Sequence, residues 1–405
     1  MTPFFPSLIW YMFSTLHTWS HFPFHYSSTS SRPFPHFHIS RPSTLHYNYL
    51  KNDVLFNNFN LVYLSVCNHS LSDGGLYQWS LLDVKGNRLV TLASNRCRIT
   101  WKAPDQGLFT VIVRYVDRHT VIFEVKKRFV VRDFWMVSIG DSFSSGEGNP
   151  HQNVRKKLWL SRRCHSSRNS FAYKLYQKYK RMISDDVAVH FTFLPCSGAL
   201  IEDGPFSLFY QIEAITNITM MLNKTPDLLL MTAGGNDIGY SDMLQRLLSG
   251  LHPVPDNFSL RLLYLSEQFD QLNKLIKGLS PSNVIIPHYF DFTTNEKGLV
   301  DASCSDFDKV SLKYLKRAQK VILRNLNNLI ERKTQNFGWI SVDLDQIFKK
   351  HGICSRQPLI RTLQESYRLQ GDYGGSFHPT ERAHQLIADL IFPISNPKNI
   401  LNKHG

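Results

Sequence analysis

Phe134-Trp135-Met136-Val137-Ser138-Ile139 is a nearly continuous apolar run that passes directly into Gly140-Asp141-Ser142-Phe143-Ser144-Ser145-Gly146-Glu147-Gly148-Asn149-Pro150. A run without polar alternation reads as a strand buried on both faces, as the inner strands of a parallel sheet are. The small residues that follow let the backbone turn tightly and approach a ligand. They put Ser142 at the carboxyl end of the strand, where its hydroxyl and its own N–H can serve one carbonyl. A simple connection and a phosphate-binding loop are rival readings of such a turn, and the pattern G-x-x-x-x-G-K-[ST] is absent.

Four more short apolar runs follow, at Val187 to Leu194, Leu228 to Met231, Val284 to Ile286 and Ile340 to Leu344. Helical periods lie between them, clearest at Phe307, Val310, Tyr314, Ala318, Ile322, Leu326 and Leu329, with Ser305 and Asp308 as the expected opening cap. This alternation predicts an α/β domain over 134–398, with helices on both faces of the sheet and chemistry in the loops at the strands' carboxyl ends. The second strand ends in Pro195-Cys196-Ser197-Gly198-Ala199 and the third in Thr232-Ala233-Gly234-Gly235-Asn236-Asp237. Acyl transfer through a serine creates an oxyanion, and Gly198 and Asn236 supply a close backbone N–H and a neutral amide to hold it. His378, in Gly374-Gly375-Ser376-Phe377-His378-Pro379-Thr380 before a helix from about Glu381 to Ile391, is the candidate general base. Asp141 and Asp237 read as loop-holding residues.

Gly-Asp-Ser, a glycine loop, Gly-Gly-Asn-Asp and a late His-Pro, in that order, resemble the SGNH/GDSL hydrolase superfamily. The Ser142 to Asn149 block, Arg163-Cys164-His165-Ser166-Ser167 and Cys196-Ser197-Gly198-Ala199 are similar to its secreted actinobacterial-type esterase and lipase branch. The resemblance covers 134–398 and implies a flavodoxin-like three-layer fold, no cofactor or metal, and ester hydrolysis through a serine acyl-enzyme. It makes Ser142 nucleophile and oxyanion donor, Gly198 and Asn236 the other donors, and His378 the base. Most of the family has Asp three residues before the histidine, where this chain has Gly375. The carbonyl of Gly375 or Ser376, or else the Asp372 carboxylate, is then expected to orient the imidazole.

Upstream, residues 49–133 hold short alternating runs at Leu61 to Cys67, Leu76 to Leu82, Arg88 to Ala93, Leu108 to Val116 and Val121 to Val131, split by Gly, Asn and Pro. They predict a small antiparallel sandwich. Trp79 lies between Cys67 and Cys97, but 30 residues is too close for the usual inter-sheet bridge, so the expectation is only an Ig-like sandwich. Residues 1–48 carry two charged side chains, Arg32 and Arg41, and read as a disordered tail or an atypical signal segment around Phe4 to Phe13. The histidines at 17, 21, 25, 36, 38 and 46 have no metal-site spacing.

The six cysteines fall as neighbours, Cys67 with Cys97, Cys164 with Cys196 and Cys304 with Cys354. Disulfides in an oxidising compartment are the natural reading and six buried thiols the alternative. Sequons stand at Asn68, Asn217, Asn223 and Asn257. With 405 residues, 42% hydrophobic and 19% charged, the chain is neither disordered nor fibrous, and it has no apolar run long enough to span a bilayer. The net charge of +14 is scattered and accompanied by no nucleic-acid module, so nucleic acid is not an expected partner. Arg155 to Arg163 mixes cations with Leu158, Trp159 and Leu160 and could touch an anionic membrane or glycan; a solvated loop with Trp159 in the core is the plainer reading. Together these features point to a secreted serine esterase or lipase acting on a lipid or acylated-glycan ester. The alternative is an inert secreted protein of the same fold that binds lipid or glycan.

Overall fold

The computed structural model describes residues 36–48, 53–67, 74–153, 156–182 and 187–395. The run at Phe4 to Phe13, His17, His21, His25, the sequon at Asn68 and Arg155 lie outside the described residues. Two antiparallel sheets form the N-terminal part. One has the order β1-β3-β6, with β1 His38–Ser40, β3 Leu61–Ser65 and β6 Arg98–Lys102. The other runs β5-β4-β7-β8, with β4 Leu76–Leu82, β5 Arg88–Ser94, β7 Gly107–Asp117 and β8 Thr120–Gly140. Alternation sends Trp79, Val111 and Val113 of one sheet and Val62, Leu64 and Trp101 of the other into a common core. The Cys67–Cys97 disulfide joins the ends of the paired strands β3 and β6, so it lies within one sheet and not between two.

Strand β8 departs from the expected separation into two strands. Its side chains alternate in burial as far as Arg132, and then Asp133 to Gly140 are all buried. The partners change at the same place. Residues up to Val131 pair antiparallel with β7, and from Arg132 onward the strand pairs in parallel with β11 (Val187–Phe193). From Met136 it also pairs with β12 (Leu228–Thr232). One backbone therefore runs through the sandwich core and then the α/β core.

The parallel sheet continues through β13 (Val284–Pro287) to β14 (Ile340–Val342). Counting only the α/β strands, the order is 2-1-3-4-5, that of flavodoxin-like folds. Residues 36–48, read from sequence as part of an unfolded tail, instead supply β1 and β2 (Thr44–His46), and β2 pairs in parallel with β11 at the sheet edge. Three-residue strands carry no readable period, and Arg41 between them is fixed by burial. Its guanidinium bonds Asp133 Oδ1 at 2.6 Å, and His190 Nε2 donates to the same oxygen at 2.8 Å. Burial pushes His190 below its ordinary pKa, which leaves the arginine as the countercharge.

The remaining elements connect these strands. Short α1 (Asp53–Asn58) precedes β3, α2 (Ser142–Ser145) follows β8, and the hairpin β9 (His151–Asn153) and β10 (Lys156–Leu158) comes next. Then come α3 (Phe171–Met182), α4 (Leu208–Leu222), α5 (Tyr240–Leu248) and α6 (Phe258–Leu279). Beyond β13 lie α7 (Leu312–Arg317), a π-helical turn at Ala318–Leu323, α8 (Arg324–Phe337), α9 (Asp345–Phe348), α10 (Leu363–Gln370) and α11 (Glu381–Ile394). Helices α3 and α11 pack together, as do α4, α6 and α8, the two groups expected of helices covering opposite faces of a parallel sheet. The helix expected to open at Ser305 begins at α7, because Ser311 accepts the Tyr314 N–H while Ser305–Phe307 makes only a 3₁₀ turn.

Candidate active site

The carboxyl ends of β8, β11 and β12 bring the three sequence blocks together. Asp141 caps α2 by accepting the Phe143 N–H at 3.0 Å, and the Thr232 hydroxyl donates to the same carboxylate at 2.6 Å. The Tyr289 hydroxyl also donates to Asp141. Burial and that adjacent carboxylate push the Tyr289 phenol well above its usual pKa, so it stays a donor. Asp141 thus fixes the start of the turn on which Ser142 sits half-exposed.

The Ser142 hydroxyl lies 2.8 Å from His378 Nε2. On the other side of the ring, Nδ1 is 3.1 Å from the Ser376 carbonyl oxygen. A carbonyl only accepts, so Nδ1 carries the hydrogen and Nε2 is left bare toward the serine. Of the three groups expected to orient the ring, the structure therefore selects Ser376. Asp372 is occupied elsewhere, accepting the Gly374 N–H at 2.8 Å. Phe377, with φ +60, lets the chain bend between Ser376 and His378, and its ring packs on Phe292 and Phe307 with centroids 5.5 and 6.0 Å away.

Two of the expected donors stand in the loops that follow β11 and β12. The Cys196–Ala199 turn, closed by a 3.0 Å bond from Ala199 N–H to the Cys196 carbonyl, holds Gly198 at φ +82, where a side chain is disfavoured. Asn236 gives one hydrogen of its amide to the Ala199 carbonyl at 2.9 Å, which leaves the second to point elsewhere. Asp237 accepts the Ile201 N–H at 2.9 Å, and burial pushes its carboxyl up to about 6. The Cys164–Cys196 disulfide ties this loop to the segment after the nucleophile, and Ser197 N–H bonds the Cys164 carbonyl at 3.1 Å.

Sequence reasoning assigned no role to Glu147. It is almost completely buried, and it binds His165 Nδ1 at 2.9 Å, the Ser197 hydroxyl, and Gln370 Nε2 at 2.8 Å. Burial works to raise its pKa, but the His165 hydrogen bond, the His165 charge and the Ser197 hydrogen bond outweigh it and hold the carboxyl at about 2. A carboxylate depressed in the fold stabilises it above the ordinary pKa of 4.5, and the contribution is lost as pH falls from about 5 to 2. Two to three units correspond to about 3 kcal/mol. Glu147→Gln is accordingly expected to lose about 3 kcal/mol at pH 7 and to flatten the acid limb of stability; urea unfolding at pH 7 and pH 3 measures both.

Gly148 fixes the distance between the nucleophile and histidine loops. It has φ +81, and a Cβ there would stand 2.9 Å from the Gly375 carbonyl oxygen. Next to it, Asn149 Nδ2 donates to the Pro379 carbonyl at 2.9 Å, and Arg361 donates to Asn149 Oδ1 at 2.8 Å. Gly148→Ala is therefore expected to displace the histidine loop and lower kcat on the order of 100-fold, with helix content retained by circular dichroism.

Residues 136–391 match the family model described as GDSL-like lipase/acylhydrolase. The chain belongs to this family. It is a carboxylic ester hydrolase of the SGNH/GDSL type. A lipase of Streptomyces rimosus is 24% identical over 251 residues, which cover 60% of this chain and 80% of that lipase. The crystal structure of the extracellular lipase from Streptomyces rimosus superposes with TM-score 0.44 at 20% identity, covering 67% of this chain and 99% of that one. An α/β hydrolase enzyme, LAE5, from the metagenome of Lake Arreo gives TM-score 0.32 at 15% identity over 65% of this chain and 96% of that one.

Other expected features fall outside the site of this family member. His165 stacks on Trp159 at 4.7 Å and pairs with Glu147, so both Trp159 and His165 serve the loop behind the nucleophile. Asn217, Asn223 and Asn257 are exposed, as acceptors for glycans must be. All three expected disulfides are present, and no helix among the described residues is long and apolar enough to cross a membrane.

Proposed function

We propose that the protein is a secreted serine ester hydrolase in which Ser142 and His378 form a dyad and the N–H groups of Ser142 and Gly198 with the Asn236 amide form the oxyanion hole. The observation that carries this reading is the 2.8 Å contact between Ser142 Oγ and His378 Nε2, with Nδ1 engaged by the Ser376 carbonyl. Ser142 Oγ attacks the ester carbonyl carbon as its proton passes to Nε2. The carbonyl electrons move to oxygen, where the three donors stabilise the charge. Collapse expels the alkoxide, which takes the proton from His378 and leaves as alcohol. Water then attacks the acyl-enzyme, giving its proton to Nε2, and the returning proton frees Ser142 and the acid.

Secretion is supported by three disulfides and the exposed sequons. The substrate is a lipid or acylated-glycan ester, with peripheral contact to an anionic membrane or glycan as part of the reading. The sandwich of 49–133, Ig-like in our reading, runs into the hydrolase domain of 134–398 through strand β8, and residues 36–48 add β1 to the first and β2 to the sheet of the second, with Arg41 between them bonded to Asp133, an arrangement that supports a fixed orientation.

A common acyl-enzyme makes a testable demand. With methanol added, esters sharing one acyl group but carrying different alcohols are expected to give the same ratio of methyl ester to free acid, because every ratio is set after the alcohol has left. A ratio that varies with the alcohol contradicts the acyl-enzyme.

A further inference from the structure

The outer face of the β1-β3-β6 sheet carries charge and hydroxyls in ordered rows. The pairing register sets His38, Ser65 and Arg98 side by side across the three strands and, two residues along, Ser40, Tyr63 and Thr100. Alternation turns these residues outward, because Ile39, Leu64 and Ile99 between them pack into the sandwich core. Beside the rows, Leu92 and Ser94 of the edge strand β5 and Arg96 of the turn into β6 complete an open groove of about 970 Å³. We propose that this groove binds an acidic polysaccharide, with Arg96 and Arg98 meeting its sulfate or carboxylate groups and Tyr63 lying under a sugar ring. The proposal rests on the reading of a peripheral glycan contact, which it narrows to one face and one chemistry, and the serine chemistry does not enter it.

Positive charge is concentrated on this edge of the sandwich. From Val84 to Pro104 the chain has Lys85, Arg88, Arg96, Arg98 and Lys102 and no Asp or Glu. Among the described residues no carboxylate borders the groove. Arg98 is anchored through Nε by Cys67 Sγ at 3.2 Å, which orders the side chain before an anion arrives. A guanidinium presents paired N–H donors to two oxygens of one anionic group. Tyr63 stands at the centre of the second row with 42% of its surface exposed, between the hydroxyls of Ser40 and Thr100. An exposed aromatic face covers the apolar side of a sugar ring, while neighbouring hydroxyls exchange hydrogen bonds with its polar rim. Arg98 and Lys102 lie on the same side of β6 about 13 Å apart, so the face follows consecutive sugars and not a single one. A membrane fits less well, because surfaces that enter lipid bury a continuous apolar face, and the two outward rows hold one tyrosine among polar side chains. Nucleic acid fits less well because the Cys67–Cys97 bridge at the end of β3 and β6 belongs to an oxidising compartment.

The test is isothermal titration calorimetry of the full chain with a heparin octasaccharide at physiological salt, beside a neutral dextran oligosaccharide, phosphatidylserine vesicles and duplex DNA. The heparin oligosaccharide is expected to bind and the dextran not. Arg96→Gln combined with Arg98→Gln is expected to raise Kd about tenfold or more and to weaken its salt dependence, since charged contacts are lost. Tyr63→Ser is expected to raise Kd about threefold with the salt dependence unchanged. Both variants are expected to keep native melting and ester turnover, and Ser142→Ala to bind the oligosaccharide as the native chain does. Unaltered affinity in the arginine and tyrosine variants places binding on other basic residues and overturns the proposal, as does tighter binding to vesicles or DNA. A chain that hydrolyses esters but does not bind the oligosaccharide overturns it and leaves the hydrolase standing. Binding by a chain without Ser142-dependent turnover supports the groove and overturns the hydrolase reading alone.

Discussion

Ser142→Ala is expected to lower kcat by about 10⁵- to 10⁶-fold, His378→Ala by a similar factor, and the double variant no further than either alone. The reason is the geometry of one proton. Ser142 Oγ is a poor nucleophile until its proton has somewhere to go, and the one base within reach among the described residues is His378 Nε2 at 2.8 Å. Removing either group removes the same step, so the losses do not add. KM is expected to change little, because neither side chain is needed to hold the ester in its ground state. Losses that multiply in the double variant would mean that the two residues act separately, against a dyad.

Asn236→Ala is the second large effect, with kcat reduced about 100- to 1000-fold at nearly constant KM. One amide hydrogen is held by the Ala199 carbonyl, so the side chain is fixed before charge develops and no reorganisation is needed in the transition state. Asn236→Asp keeps the size but replaces a donor by a negative charge beside the oxyanion, and is expected to fall below the alanine variant. Steady-state kinetics on one soluble ester separate the outcomes. A loss carried by KM would assign Asn236 to substrate binding instead.

Three residues of the proposed site were legible because each stands in a strand-end loop of distinctive composition, and His378 because a glycine-rich turn sets it between two helices. Apolar runs placed Ser142, Gly198 and Asn236 at the carboxyl end of the sheet, His378 was reached from its place before a helix and from the family resemblance, and the structure brings its Nε2 to 2.8 Å from Ser142 Oγ. Glu147 was not legible. Its partners His165, Ser197 and Gln370 lie 18, 50 and 223 residues away, and a carboxylate between two glycines in a turn carries no sign that it will be buried. Tyr289 escaped for the same reason, since its bond to Asp141 spans 148 residues.

The fold was legible wherever a period was long enough to register. Strands β4, β5 and β7 agree with the alternation within about two residues, whereas β1, β2 and β6 have too few residues or too mixed a pattern. The change of period at Asp133 coincides with a change of burial along β8, from alternating to continuous. It concealed the fact that no chain break accompanies it, because burial pattern reports what flanks a strand and not where its hydrogen bonding ends. The π-helical turn was invisible, since its residues continue the helical apolar spacing.

Peptide mapping after treatment with a serine-directed fluorophosphonate tests the dyad most directly. One adduct per chain is expected, on Ser142, absent from Ser142→Ala and formed far more slowly by His378→Ala. A folded native chain that takes no label, or takes it on another residue while still hydrolysing esters, would contradict the assignment of Ser142 as nucleophile.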